Sequence, residues 1–451
     1  MAENEWTPVS WRSKPASQIP DYPDPLAVES TVRELSQLPP LVTSWEVENL
    51  KTMLAGAVRG ESFLLQVGDC SESFADCDDA ILTVKLKILL QMSLLLTHGC
   101  NKRIIRVGRI AGQYAKPRSS PMETRDGITL PSYRGDLVNR LEFTPEARRP
   151  DPANLLKAYH WAAITLNFLR SLMAGGFGDL RHTEAWDLGF MRKSPQAAEY
   201  QRTVDTITQA IGFMDTITPI EMRAVASLGQ SELFTSHEGL NLYYEEARTR
   251  HVPLRTGWYN TSCHFPWIGE RTRDPGGAHV DFFRGIENPI GVKIGPSITA
   301  DELLELVEIL DPKREPGRLT LIHRFGANAI ERCLPPLIEA LNRRDRTVLW
   351  VCDPMHGNTI TSSGGRKTRR FDDIRGVLVA AFDIHHACNS HLGGAHLELS
   401  GEPVTECIGG AGGLAEEDLS WAYKSDVDPR LNYEQALEMA LLISRKMKEM
   451  R

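Results

Sequence analysis

Four side chains of the kinds that bind a divalent transition metal stand far apart in this chain: Cys70, His356, Glu398 and Asp428. A thiolate, an imidazole and two carboxylates make a mixed S/N/O donor set. Such a set suits an exchangeable catalytic cation better than a structural, cysteine-rich zinc site. Cys70 and His356 follow short apolar runs, Glu398 lies within another, and Asp428 lies in the DVDPR segment beyond it. No local spacing joins the four, so the alternative is a small buried hydrophobe at Cys70 and three ordinary polar groups. A second set is cationic: Arg109, Lys116 and Arg118 after one apolar run, Arg271 after another, Lys293 within a third and Arg324 ending a fourth. Cations in apolar surroundings are costly unless they are paired or hold an anion. Phosphate or carboxylate binding is therefore expected, with arginine offering a planar fork and lysine a mobile point charge. Structural ion pairing with Glu270, Asp353 and Glu398 is the alternative. His237 and Glu238, after a weaker run, can orient neighbouring groups or transfer a proton.

These residues need elements to bring them together. Eight short runs read as strands, at 63–67, 103–107, 231–235, 265–268, 290–294, 319–323, 348–352 and 396–399. Helical periodicity covers 24–38, 46–59, 81–98, 154–173, 300–310 and 374–388, and most of 195–230. Pro335 and Pro336 are expected to break or open the helix after the sixth strand. Strands alternating with helices predict a closed (β/α)8 TIM barrel, with an open doubly wound sheet as the alternative. Polar chemistry at the C-terminal ends of strands is the pattern of such enzymes. The expected organisation is an N-terminal arm and helices over 1–60 and a catalytic barrel over 61–440. A helical insertion at about 171–230 separates strands two and three, and a helical tail covers 441–451. Neither GxGxxG directly after a strand nor GxxxxGK[ST] occurs, which weakens dinucleotide and nucleoside-triphosphate readings. The glycine pairs 393–394 and 409–410 allow an anion-accommodating turn or simply close packing. His264, His385 and His386 read as structural, with at least one of the last two facing the barrel.

The 451 residues are 41% hydrophobic and 24% charged, ordinary values for a globular chain. The net charge of -8 is distributed rather than run-like and supports no nucleic-acid surface. The basic RKTRR stretch at 366–370 lacks the aromatic interleaving such a surface uses. Eight cysteines without a CxxC pair fit a reduced, cytoplasmic setting. The first residues lack the apolar core of a secretory signal, and no uninterrupted apolar run is long enough to span a bilayer. No membrane partner is expected.

A series of blocks runs in order from Gly68 to Ala440: GDCSESF, VGRIAGQYAKPRS, TSHE, WIGERTR, NPIGVKIGP, HRFGA, CDPMHGNT, RRFDDI, HLELSGEPVTECIGG and DPRLNYEQALEMA. With them the chain resembles the class II 3-deoxy-D-arabino-heptulosonate 7-phosphate (DAHP) synthases. The resemblance implies a TIM barrel that condenses phosphoenolpyruvate with erythrose 4-phosphate, the first step of the shikimate pathway, using a divalent metal such as manganese or cobalt. It assigns Cys70, His356, Glu398 and Asp428 to the metal, and Arg109, Lys116, Glu270, Arg271, Lys293 and Arg324 to phosphoenolpyruvate. Arg118 and Ser119 match the sugar-phosphate region, and Glu238 matches a carboxylate near the reacting groups. Lys116 and His356 are the candidates for handling protons. Asp353 is expected in a supporting or ion-pairing role, and Asn358 in loop geometry or substrate support. The resemblance also implies a homo-oligomer, an aromatic amino-acid effector and, in some relatives, a chorismate mutase partner. A synthase making the amino-analogue of the same product is the alternative activity.

Overall fold

The computed structural model describes residues 5–175, 177 and 232–450, together with Ala198, Gln201, Arg202, Asp205, Thr206 and Gln209. The insertion expected at about 171–230 thus lies almost wholly outside the described residues. Eight parallel strands form one sheet: β1 (Ser62–Gly68), β2 (Arg103–Arg109), β3 (Phe234–Thr235), β4 (Trp267–Ile268), β5 (Ile290–Ile294), β6 (Leu319–His323), β7 (Leu349–Cys352) and β8 (Leu392–Glu398). Their order is β3-β2-β1-β8-β7-β6-β5-β4. The two ends of that list meet: Glu238 and Trp267 form a parallel bridge. The amide of Trp267 donates to His237 O (3.1 Å), and that of Gly239 donates to Trp267 O (3.0 Å). The sheet therefore curls into a barrel, with β8 beside β1 as the TIM-barrel expectation requires.

The barrel is dry at one end and polar at the other. Helix α2 (Ser44–Val58) opens with a capping box, Thr43 and Glu46 exchanging side-chain and backbone bonds, which satisfies two amides at its start. Its Leu50, Met53, Leu54 and Ala57 pack with Leu64, Ile105, Val107, Leu349 and Val351 from the barrel interior. That plugs the N-terminal end. Higher up, the inward residues become Gln66 and His396, whose side chains bond at 2.8 Å. Outside the barrel, α3 (Asp79–Cys100), α7 (Ala300–Leu310), α8 (Ile330–Arg343), α9 (Phe371–Ala387) and α10 (Tyr433–Glu449) join the outward faces of the strands in the main apolar layer. α10 runs across residue 440 without interruption. Helices α1 (Pro25–Gln37), α4 (Ala153–Ala174) and α5 (Leu242–Arg248) share a second cluster, and α6 (Ala278–Arg284) lies between β4 and β5.

Three local expectations change. β8 starts at Leu392, so Gly393 and Gly394 are strand residues rather than a turn. A Cβ on Gly394 would crowd Leu64 of β1, and one on Gly393 would meet Leu349 of β7; close packing is what these glycines provide. Pro335 and Pro336 lie inside α8 and do not end it, because the helix is held by a buried face of Ile330, Leu334, Leu337, Ile338 and Leu341 that outweighs two missing amide donors. Finally, α3 has the length and apolar composition of a bilayer-spanning helix, although 61% of its most apolar stretch is buried within the protein. It packs on β2 and α10 as a core helix.

Candidate active site

Register sets the first part of the site. Gly68 of β1 pairs with Glu398 of β8 on one side and Arg109 of β2 on the other, so the carboxylate and the guanidinium end three adjacent strands at one level. Gly68 has φ 147°, and a Cβ there would overlap the Arg109 carbonyl; only glycine fits. Arg109 then reaches inward: one nitrogen lies 2.6 Å from His396 Nε2, and the other donates to Cys70 O (3.0 Å) and Glu398 Oε1 (3.1 Å). β7 ends in Asp353, whose one oxygen accepts from the amides of Met355 (3.0 Å) and His356 (3.2 Å). The other lies 2.7 Å from His356 Nδ1 and accepts from Lys293 Nζ at 2.8 Å. This grip fixes the imidazole and leaves its Nε2 2.9 Å from Glu398 Oε1.

Cys70 Sγ, one nitrogen of His356 and one oxygen of Glu398 all lie within 4.8 Å of one another. The three form a candidate metal centre, and their chemistry fits one: a sulfur, an imidazole held at its other nitrogen by a carboxylate, and a buried carboxylate. Asp428 stands beside them with Oδ2 3.7 Å from Cys70 Sγ. Lys116 donates to both Cys70 Sγ and Asp428, the latter at 2.5 Å, and Lys367 reaches the other Asp428 oxygen at 2.8 Å.

The electrostatics are polarised. Burial, reinforced by Glu398, pushes the Cys70 thiol up to about 12; a coordinated cation inverts that balance, because a metal-bound thiol is deprotonated. Burial would also raise Glu398, but His356, Arg369 and Arg109 outweigh it and hold this carboxyl well below its usual range. Burial lowers the Lys293 ammonium despite Asp353. It also raises the Glu238 carboxyl despite Lys293, Lys116 and Arg109.

A cavity of about 260 Å³ opens over these groups. Of the thirteen residues that the resemblance assigns to the metal, the substrates and the reacting groups, twelve line it; the thirteenth, Glu398, contacts the lining residues Arg109 and His356. Among its lining residues Ser119 and Arg271 are exposed, Arg118 and Arg324 half-buried and Lys293 buried. Arg324 pairs with Glu270 and donates to His356 O at 3.1 Å. Both readings of the cations are thus present: several are paired, and all face one cavity. Asp353 has its supporting role, and Asn358 shapes a loop, donating to Pro354 O (2.8 Å) and accepting from the Ala327 amide (2.9 Å). His237 turns away to Glu245 at 2.8 Å. His264 takes the Thr235 amide at 2.9 Å. His385 is buried and His386 exposed.

Sequence reasoning missed several participants. Arg369, within the basic stretch, is fully buried; it donates to Glu398 Oε2 at 2.8 Å and to Pro429 O. The pairing of 359–361 with 367–369 as a hairpin turns it inward, and a stretch with four charges in five residues gives no sign of that. Trp267 lies under both Arg109 (5.3 Å) and Lys293 (5.8 Å); the signal was a tryptophan in a strand directly before the charged GERTR run. Gln113 accepts the Glu238 amide at 2.9 Å.

Fold and site together define an α/β-barrel enzyme with a candidate metal centre at the C-terminal ends of its strands. The model of the Class-II DAHP synthetase family matches residues 6–444, and the chain belongs to that family. It is 48% identical to a phospho-2-dehydro-3-deoxyheptonate aldolase of Neurospora crassa, over 97% of this chain and 94% of that one. With the enzyme of the same name from Streptomyces coelicolor it shares 47% identity over 96% of each chain. A truncated 3-deoxy-D-arabino-heptulosonate 7-phosphate synthase from Thermotoga maritima aligns over 86% of both chains at 13% identity with a TM-score of 0.34, a likeness too distant to add to the fold derived above.

Proposed function

We propose that the chain condenses phosphoenolpyruvate with erythrose 4-phosphate and water to give DAHP and phosphate. The observation that carries this reading is the meeting, in one cavity, of the Cys70–His356–Glu398 group with six cationic side chains from four strand ends. Two phosphates and a carboxylate repel one another, and joining the two substrates requires that repulsion to be cancelled while their faces are aligned. Arg109, Lys116, Arg271, Lys293 and Arg324 hold phosphoenolpyruvate, and Glu270 fixes Arg324. Arg118 and Ser119 hold the phosphate of the sugar. A divalent cation bound by Cys70, His356, Glu398 and Asp428, of the manganese or cobalt kind, would polarise the aldehyde of erythrose 4-phosphate. C3 of phosphoenolpyruvate forms the new bond to C1 of the aldose, water adds at C2, and phosphate leaves with cleavage of its C–O bond. Glu238, whose carboxyl burial raises, is placed to hold a proton against the cations around it. Lys116, or a water beside His356, supplies the proton taken up by the aldehyde oxygen.

Incubation of the purified chain with both substrates, following DAHP formation before and after chelation and after readdition of manganese or cobalt, tests the reaction. Cys70→Ser is expected to weaken metal binding and turnover together. Wild-type values of both in that variant would remove Cys70 from the metal. A cytoplasmic homo-oligomer, feedback by aromatic amino acids and a chorismate mutase partner extend the same reading from family resemblance. Inhibition assays with phenylalanine, tyrosine and tryptophan, separately and mixed, test the feedback.

A further inference from the structure

The N-terminal arm bonds to two residues that line the cavity, Arg118 and Arg271, and is held down on both sides of the short stretch that makes these bonds. Upstream, Trp6 Nε1 donates to Asp281 O (2.8 Å) and Trp11 Nε1 donates to Glu246 Oε2 (2.9 Å). Downstream, Tyr22 is buried and accepts from Asn241 Nδ2 at 2.9 Å. Between these anchors lie Ser17 and Gln18. The Gln18 amide pairs with the backbone of Arg118 as a neighbouring strand would: Nε2 donates to Arg118 O (3.1 Å), and Oε1 accepts from the Arg118 amide (3.0 Å). The same oxygen accepts from Arg134 Nη2 at 3.2 Å, and the carbonyl of Arg134 holds the Lys116 amide at 2.9 Å. The preceding residue ties down the opposite rim, where Ser17 Oγ donates to Arg271 O at 3.1 Å. Gln18 has φ 61°, a left-handed conformation that a non-glycine residue adopts only when its surroundings hold it there. Here it turns the side chain toward the Arg118 loop.

We infer that Gln18 is a positioning residue for the second substrate: its side-chain amide sets the backbone of Arg118 and Ser119, and so the pocket for the sugar phosphate. The inference rests on the assignment of those two residues to erythrose 4-phosphate. Gln18 touches no substrate and acts through the loop, and a loop displaced by an ångström no longer aims its donors. The arm thus braces two segments that line the cavity, at Arg118 and Arg271.

Gln18→Gly keeps the left-handed backbone available and deletes the amide, leaving the anchors at Trp6, Trp11 and Tyr22 in place. Loss of three hydrogen bonds is expected to raise KM for erythrose 4-phosphate about tenfold. KM for phosphoenolpyruvate and kcat at saturation should change by less than about twofold by the same reasoning. Gln18→Glu, which retains both accepted bonds and loses the donated one, is expected to fall between wild type and Gln18→Gly. Hydrogen exchange supplies a readout independent of turnover: the Arg118 amide should exchange faster in Gln18→Gly while amides of β5 do not change. An unchanged KM for the sugar phosphate, or a parallel rise in both KM values with a lowered melting temperature, would overturn the inference. Unchanged exchange at Arg118 would overturn it even if the substrate pair proved wrong. Absent turnover of wild type with that pair, beside faster exchange at Arg118, would instead place the failure in the proposed reaction.

Discussion

Replacing Asp353 with asparagine separates the two duties of that carboxylate. Its side chain is fully buried at the end of β7, with Lys293 Nζ at 2.8 Å and His356 Nδ1 at 2.7 Å from one oxygen. Asparagine matches the shape and can still accept the amides of Met355 and His356 through its own oxygen. The second oxygen becomes an NH2 group facing an ammonium and an imidazole. Removing one partner of a buried ion pair costs about 3–5 kcal/mol. The low end, about 3 kcal/mol, is expected, because burial already lowers the Lys293 ammonium and the lysine can shed its proton. The sign follows from linkage. With its counter-ion gone, Lys293 is depressed further, while the unfolded lysine stays protonated up to about pH 10. Over that window the unfolded chain binds more protons, so the variant gains stability as pH rises. Its deficit is greatest from about pH 4 up to the lowered Lys293 value and closes in acid, where wild-type Asp353, held well below the usual carboxyl range, takes up its own proton. The second duty is to hold His356; loosening the carboxylate partner of a metal-binding histidine typically costs 10–100-fold, roughly, in metal affinity. Urea unfolding at two pH values and calorimetric titration with manganese or cobalt measure the two effects. Wild-type metal affinity in folded Asp353→Asn would refute the orienting role, and a deficit that widens as pH rises above about pH 4 would refute the account of Lys293.

Two other perturbations probe neighbouring parts. Asp69 is buried between Lys85 and Arg430, the latter at 2.6 Å. Burial would raise its carboxyl, but these cations outweigh it and hold it below the usual range. Its contribution is therefore fully present above about pH 4 and is lost as pH falls through the lower folded value. Asp69→Asn should cost about 3–5 kcal/mol near neutrality, with the gap from wild type closing in acid; a pH-independent gap in urea midpoints would contradict the pairing. Gly269→Ala places a methyl group where Glu238 Oε1 now lies. It should reduce kcat about tenfold or more by displacing that carboxylate while the melting temperature changes little, and unaltered turnover would deny Glu238 a part in the reaction.

Much of the barrel could be read in advance because its strands are buried on both faces. β5 and β6 are mostly apolar runs interrupted by Lys293 and by Thr320 and His323, and their ends are where the pattern put them. The helices expected at 24–38, 46–59, 81–98, 154–173, 300–310 and 374–388 lie within about a turn of the observed ones, while the tail expected at 441–451 belongs to a helix that begins at Tyr433. β3 was hard because only Phe234 and Thr235 are paired, too short a segment for alternation to show. β8 was cut short because glycines read as breakers, while the reason for them is the crowding of Leu64 and Leu349, which no local pattern contains. In the site, residue types alone gave metal-capable and cationic groups after strands, and the ordered motif blocks supplied the grouping. Neither gave a role to Arg369, although the RRFDDI block begins with it, or to Gln18. Arg369 meets Glu398 and Pro429, 29 and 60 positions further on, and Gln18 acts through a backbone a hundred positions away. Such roles depend on tertiary placement and have no signature of their own.

The two shortest strands, β3 and β4, are neighbours. The barrel is consequently a stiff half-hull joined along a soft seam. On the hull side, seven-residue strands β1, β2 and β8 run in unbroken register, and with β7 they carry Cys70, Arg109, His356 and Glu398. On the seam side stand Glu238, Glu270 and Arg271, supported by few ladder bonds, and local opening is easiest where such bonds are fewest. One wall of the cavity can therefore yield as a bulky phosphorylated molecule enters, while the donor atoms opposite keep their spacing.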